Sequence, residues 1–245
     1  MNIKKHIPNL LTLGNLFCGT LATIFAIQGN YEKAALFFAI GVSFDFLDGF
    51  VARLLNVQGE LGKQLDSLAD MVTSGVVPGI FVFKMLGENN SQTWLDHFSW
   101  IDDTIHPIQY IGLILTLAAC YRLAKFNIDT RQSDSFIGVP TPAMALFVIS
   151  LPLISIYANN QFFLEIIQNN YFLIVVVVVF SFLMNAELPL FSLKFKGFGI
   201  KENVVKYLFL VLSVVFLLLF KFIAIPLIIL LYILISVITN LKLNK

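Results

Sequence analysis

The sequence predicts an all-α integral membrane protein with about eight transmembrane helices and both termini in the cytoplasm. Three features predict it: scarce charge, long apolar runs, and a one-sided distribution of Lys and Arg. Of 245 residues, 58% are hydrophobic and 13% charged, with a mean hydropathy of +0.85. A soluble domain carries roughly 25% charged residues, so this chain lacks the polar side chains to coat a water-exposed surface. A soluble domain, a disordered chain and a nucleic-acid binder are all disfavoured. The net charge of +1 gives no cue to a highly charged partner.

A spanning helix needs about 20 mostly apolar residues. On that basis the spans fall at 8–28, 32–55, 66–86, 107–127, 140–158, 170–188, 203–220 and 222–240. The first three are polar for lipid-facing helices, whereas 170–188, with its valine run, and 203–220 are strongly apolar. Between the last two, Lys221 and Pro226 leave hardly any loop, and one long kinked helix is the alternative. The first apolar stretch follows MNIKKHIPNLL without a small-residue cleavage site, so it reads as a retained helix. Cys18 and Cys120 show no metal or disulfide spacing and are expected to be buried free thiols.

With eight spans, one side of the membrane holds Lys4, Lys5, Arg53, Lys63, Arg122, Lys125, Arg131, Lys194, Lys196, Lys201, Lys206, Lys242 and Lys245; the other holds Lys33, Lys84 and Lys221. The cation-rich side is cytoplasmic by the positive-inside rule. The stretch 87–106 has no Lys or Arg, and its Trp94 and Trp100 suit an external interface. The chain reads as a single membrane domain over 1–245.

Ionisable residues at membrane depth are costly and point to function. Asp45 and Asp48 are three apart, and Asp66 and Asp70 four apart. Each pair shares a helix face. A turn containing Gly59 and Gly62 would make the two helices antiparallel neighbours, with all four carboxylates converging at the cytoplasmic end. Such a cluster needs positive charge. Mg²⁺ and Mn²⁺ favour carboxylate oxygen and leave room for phosphate oxygens, and two ions can orient both oxygens of a displacement. Gly49, Ala52 and Gly62 leave space for a ligand, and Arg53 offers a planar fork to phosphate. A purely structural network with Arg53 and Lys63 is the weaker reading, because two cations do not neutralise four carboxylates.

Written out, Asp45-x2-Asp48-Gly49-x2-Ala52-Arg53-x8-Gly62-x3-Asp66-x3-Asp70 resembles the complete signature of the CDP-alcohol phosphatidyltransferases. The resemblance implies a membrane enzyme that transfers a phosphatidyl group from a CDP-linked lipid to an alcohol and releases CMP. It implies divalent metal, Mg²⁺ or Mn²⁺ and two ions, on Asp45, Asp48, Asp66 and Asp70, with Asp70 also the general base. It implies a homodimer, and a catalytic core at about 1–145 followed by a helical portion at about 146–245.

Two flanking stretches bear on the substrates. Pro8-Asn9-x2-Thr12-x2-Asn15 places polar side chains at the cytoplasmic end of the first span, where they suit a cytosine edge or ribose. Asn9, Thr12, Gly49, Ala52, Arg53 and Gly62 are therefore the candidates for binding the CDP-lipid. Arg122-Leu123-Ala124-Lys125-Phe126-Asn127 and Phe136-x-Gly138-Val139-Pro140-Thr141-Pro142-Ala143 resemble the phosphatidylserine synthase branch. That resemblance implies CDP-diacylglycerol and L-serine as substrates, with Arg122, Lys125 and Asn127 holding serine. Lys125 stands where arginine is more usual, Thr141 where serine is, and Gly59 where many relatives carry Ser or Thr. Arg122 and Lys125, three apart, are expected to face the same way. Glu187 is expected to be a lone interfacial carboxylate. The same chemistry with glycerol phosphate, inositol phosphate or inositol is the nearest alternative. A cation-coupled transporter is a more distant one, since its site would lie near the bilayer midplane between repeats, and no repeat is present.

Overall fold

Ala22, Ala26 and Ala34 are fully buried, and their small side chains let the first two helices run in close contact. These are α1 (His6–Ile27) and α2 (Tyr31–Leu54). The turn between them uses Gly29 at φ +75°, a left-handed conformation that suits glycine. Asn30 then caps α2 by accepting the Lys33 N–H at 3.2 Å. The computed structural model describes residues 6–89, 106–129, 136–158, 160–190 and 203–243.

The next rod runs unbroken from Glu60 to Glu88. It comprises α3 (Glu60–Asp70), a π-turn (Met71–Val76) and α4 (Val77–Glu88). The rod starts six residues before the expected span at 66, because the polar first turns of α3 lie outside the apolar window. Gly62 therefore sits inside α3, not in the turn. The turn is Leu55 to Gly59, with Asn56 at φ +52°. Nor are α2 and α3 simple antiparallel neighbours. α1 packs along both of them, and α2 reaches the second rod through aspartate side chains and through Gly41, where a Cβ would stand 3.2 Å from Thr73 Cγ2.

A 3₁₀ turn (Pro107–Gly112) leads into α5 (Leu113–Ile128). α6 (Thr141–Tyr157) contains Pro152, and the Tyr157 hydroxyl donates to Glu32 near the start of α2. α7 (Gln161–Ile167) and α8 (Asn170–Asn185) meet at 66°. The bend falls at Gln168–Asn169, where Asn169 restarts the helix by accepting the Tyr171 N–H at 2.8 Å. Sequence periodicity marked α8 but not α7.

One short ribbon accompanies the helices. β1 (Phe136–Ile137) pairs antiparallel with β2 (Pro189–Leu190), Phe136 opposite Leu190. Gly138, at φ +76°, fixes this ribbon. Its N–H donates to Leu188 O at 2.9 Å, and its Cα lies against the Met184 carbonyl.

The C-terminal apolar stretch forms α9 (Val204–Phe220), a 3₁₀ turn (Lys221–Ile223) and α10 (Ala224–Leu243). Lys221 at φ +49° breaks the helix. The rings of Phe209 and Tyr232, 23 positions apart, lie 5.9 Å from centroid to centroid, so α10 folds back on α9 as a hairpin. One apolar core runs from Ala22 on α1 to Tyr232 on α10.

Among the described residues, five stretches are long and apolar enough to cross a membrane: His6–Ile27, Tyr31–Leu54, Glu60–Glu88, Pro107–Ile128 and Lys206–Thr239. The α7–α8 pair makes a sixth if counted as one span. The expected eight exceeds this because α6 has only 17 residues and because Lys206–Thr239 counts once despite its turn at Lys221. The chain is a multi-pass, all-α membrane protein apart from the ribbon. Cys18 is buried as expected, but Cys120 is exposed on α5; both are free thiols. Lys4, Lys5, Trp94, Trp100, Arg131, Lys194, Lys196, Lys201, Lys245 and the Lys242 side chain lie outside the described residues.

Candidate active site

Three helices supply the site. Along α1, Asn9, Thr12 and Asn15 recur every third residue and so share one face. α2 carries Asp45, Asp48, Gly49, Ala52 and Arg53, and α3 carries Gly62, Asp66 and Asp70.

Asp45, Asp48 and Asp66 each offer one carboxylate oxygen, and these atoms all lie within 4.8 Å of one another. Asp48 is the most enclosed, at 5% exposed. One of its oxygens accepts a 2.5 Å hydrogen bond from the Thr12 hydroxyl, which also reaches Pro8 O at 3.1 Å. Asp70 stands outside the trio, one turn along α3 from Asp66. Its Oδ1 accepts from Asn15 Nδ2 at 3.3 Å, and it lies within electrostatic reach of Asp66, Asp48 and the Arg122 guanidinium.

Among the described residues, no Lys or Arg forms an ion pair with any of these aspartates. Lys63 donates to the Asn127 carbonyl at 2.7 Å. Arg53 folds back along α2, with Nη1 3.6 Å from where a Cβ on Gly49 would stand. The structural network of aspartates with Arg53 and Lys63 is therefore not what forms. Enclosed carboxylates without a counter-charge are costly. Three convergent hard oxygen donors are the ligand set of a hard divalent cation, so the residues present fit a metal.

Asn9, Thr12, Gly49, Ala52, Arg53 and Gly62 all line one cavity of about 260 Å³, with Asp48 and Asp66 in its wall. Gly62 brings α3 close to α1, since a Cβ there would meet Asn9 Oδ1 at 3.5 Å. The Thr12 hydroxyl is engaged with Asp48, so within this cavity it orients a carboxylate. A larger cavity of about 510 Å³ lies elsewhere, beside Tyr31 and Glu88, and a single carboxylate in its wall leaves it without such a donor set.

Around Asp70, α5 closes the site. Arg122 is 7% exposed, and its buried Nε has no hydrogen-bond partner. Lys125, by contrast, pairs with Glu187 at 3.9 Å, so the two cations of α5 take different partners and Glu187 is not alone. Asn127 ties α5 to α3 by donating to Ser67 Oγ at 2.8 Å.

The sequence model of the CDP-alcohol phosphatidyltransferases matches residues 5–241. This chain belongs to that family. Among curated proteins it is 34% identical over 152 residues to the CDP-diacylglycerol–serine O-phosphatidyltransferase of Bacillus subtilis, covering 60% of this chain and 76% of that one. It is 32% identical over 160 residues to the protein of the same name from Helicobacter pylori strain J99, covering 64% and 60%. An archaetidylserine synthase of Methanothermobacter thermautotrophicus is 30% identical over 167 residues, 65% of each chain.

Within this phosphatidyltransferase, the sequence singled out Asn15 only as a nucleotide contact and did not single out Thr73. Thr73 lies in the π-turn, 1% exposed, and donates to Asn15 Oδ1 at 2.7 Å. The available signal was its position, three residues after Asp70 in an otherwise apolar segment.

Proposed function

We propose that this protein transfers the phosphatidyl group of CDP-diacylglycerol to the hydroxyl of L-serine, giving phosphatidylserine and CMP. The observation that carries the reading is the joining of the Asp45, Asp48 and Asp66 trio to a cavity lined by every residue assigned to the CDP-lipid. The names of the three relatives, each specifying serine, support the choice of acceptor.

Asn9, Gly49, Ala52, Arg53 and Gly62 receive the nucleotide diphosphate, with Arg53 offering its fork to a phosphate and Thr12 holding Asp48 in place. Asp45, Asp48, Asp66 and Asp70 would hold two divalent ions, Mg²⁺ or Mn²⁺, which supply positive charge to the diphosphate and to the departing CMP. Asp70 takes the proton of the serine hydroxyl. The serine oxygen forms its bond to the phosphorus that carries the diacylglycerol oxygen, and the bond from that phosphorus to the CMP oxygen breaks. Arg122, whose buried Nε is unpartnered, receives the serine carboxylate, with Lys125 and Asn127 at the rim.

The same proposal places the site at the cytoplasmic face. It takes the chain as one domain with eight spans, both termini cytoplasmic, associated as a homodimer. The hairpin at Lys221 and the apolar character of α6 support that span number.

The test is CMP release by detergent-purified protein given CDP-diacylglycerol, Mg²⁺ or Mn²⁺, and each acceptor separately. Serine-dependent release is expected. Release only with glycerol phosphate, inositol phosphate or inositol would refute the acceptor, and no release from folded protein would refute the transferase reading.

A further inference from the structure

The π-turn brings two buried polar side chains under the general base. Its signature is the Val77 N–H bonding back to Val72 O, five residues earlier. Such insertions recur at functional sites because they shift the phase of the side chains that follow. Here Thr73 reaches across to α1, 58 residues away in sequence. Its hydroxyl donates to Asn15 Oδ1 at 2.7 Å, with the Asn15 carbonyl a secondary acceptor at 3.4 Å. An amide whose oxygen is engaged in this way must present its NH₂ elsewhere. Asn15 Nδ2 is directed at Asp70 Oδ1, 3.3 Å away. Asp70 Oδ2 has no hydrogen bond among the described residues.

The packing is built around this chain of contacts. Asn15 is fully buried. A Cβ on Gly19 would stand 2.5 Å from Thr73 Oγ1, and one on Gly41 would stand 3.0 Å from Asn15 Oδ1. Glycines on α1 and α2 thus leave room for the hydroxyl and the amide at the two places where any side chain would displace them.

From this geometry we infer that Thr73 and Asn15 are positioning residues for the reaction: Thr73 fixes the Asn15 amide, and the amide holds one Asp70 oxygen so that the other faces the acceptor hydroxyl. The inference rests on the transferase reading with Asp70 as base. Neither residue touches substrate. Their effect is on the turnover step, and their loss leaves lipid binding as it was.

Two substitutions separate the hydroxyl from the shape of Thr73. Thr73→Val keeps the methyl that packs at Gly41 and removes the hydroxyl; Thr73→Ser does the reverse. In the full-length enzyme, Thr73→Val should lower kcat by roughly three- to tenfold, the scale of one lost hydrogen bond between neutral groups, with KM for CDP-diacylglycerol within about twofold. Thr73→Ser should retain most of kcat. Mn²⁺ affinity, measured by electron paramagnetic resonance, should stay within about twofold of wild type in both variants, because Asp45, Asp48 and Asp66 keep their convergent oxygens. An unchanged kcat in Thr73→Val would overturn the inference. So would a Ser variant that falls as far as the Val variant, or a Val variant whose kcat recovers at high Mn²⁺. Wild-type protein that fails to turn over serine would instead refute the underlying function.

Discussion

The Thr12 hydroxyl on α1 holds the Asp48 carboxylate on α2 through a 2.5 Å hydrogen bond. This contact makes the first helix part of the acidic site, since it adds a donor from α1 to the Gly49 backbone N–H that α2 itself gives the carboxylate. Thr12→Val keeps the shape and removes the donor. A hydrogen bond to a charged group contributes about 1.5–3 kcal/mol. The variant should therefore need a roughly tenfold or greater increase in Mg²⁺ for half-maximal rate, with KM for serine unchanged. Titration of activity against Mg²⁺ checks this, and a wild-type curve would show that Thr12 does not support the metal carboxylate.

Asp70 lies one turn beyond the trio and is the residue proposed to take the serine proton. Asp70→Asn keeps the size and the partner at Asn15 while removing the base. Turnover should fall by about 10²–10⁴-fold, with CDP-diacylglycerol still bound at near wild-type affinity. Calorimetric binding beside steady-state rates makes the comparison. Loss of binding together with turnover would leave Asp70 with the metal-holding role alone and contradict its role as base.

Arg122, proposed to receive the serine carboxylate, offers a way to separate acceptor from donor. Removing its guanidinium in Arg122→Ala should raise KM for serine by roughly tenfold or more, the scale of one charge-assisted hydrogen bond, and leave KM for CDP-diacylglycerol within about twofold. If both constants rise together, the residue serves the lipid phosphate or the fold.

A position remote from chemistry tests the packing. A Cβ on Gly112 would stand 2.6 Å from the Phe83 backbone nitrogen and 2.9 Å from Gly79 O, atoms that cannot swing aside. Gly112→Ala should cost about 1–3 kcal/mol of stability. A lower melting temperature in detergent, with both KM values kept, is the expected outcome.

Topology is open to a direct check. Reporter fusions at the two ends should both report the cytoplasm. Opposite sides would mean an odd number of spans, and α9 with α10 is the pair to re-examine first.

The acidic site was legible because its information is local. Asp45 and Asp48 share one turn, Asp66 and Asp70 another, and small residues at fixed spacing mark where a ligand approaches. Helix existence was legible for the same reason, since apolar length is a property of one segment. What the sequence did not show depends on contacts between distant segments or on backbone geometry. Thr73 meets Asn15 only because the π-turn and α1 pack together. The ribbon of Phe136 with Leu190 depends on Gly138 lying against Met184. The bend before α8 comes at the Asn169 cap; the span start at 170 was legible, but the short α7 on its other side was not. Arg122 and Lys125 share a face by spacing, yet Lys125 pairs with Glu187, and no helical period predicts that partner.

The most direct test of the central claim follows labelled serine into lipid. Purified protein would be incubated with CDP-diacylglycerol, Mn²⁺ and ¹⁴C-labelled L-serine, and the organic extract resolved by thin-layer chromatography. Label in phosphatidylserine, matched mole for mole by CMP and abolished by chelation, is the predicted result. Wild-type protein that is folded and metal-loaded, yet puts no serine into lipid, would contradict it.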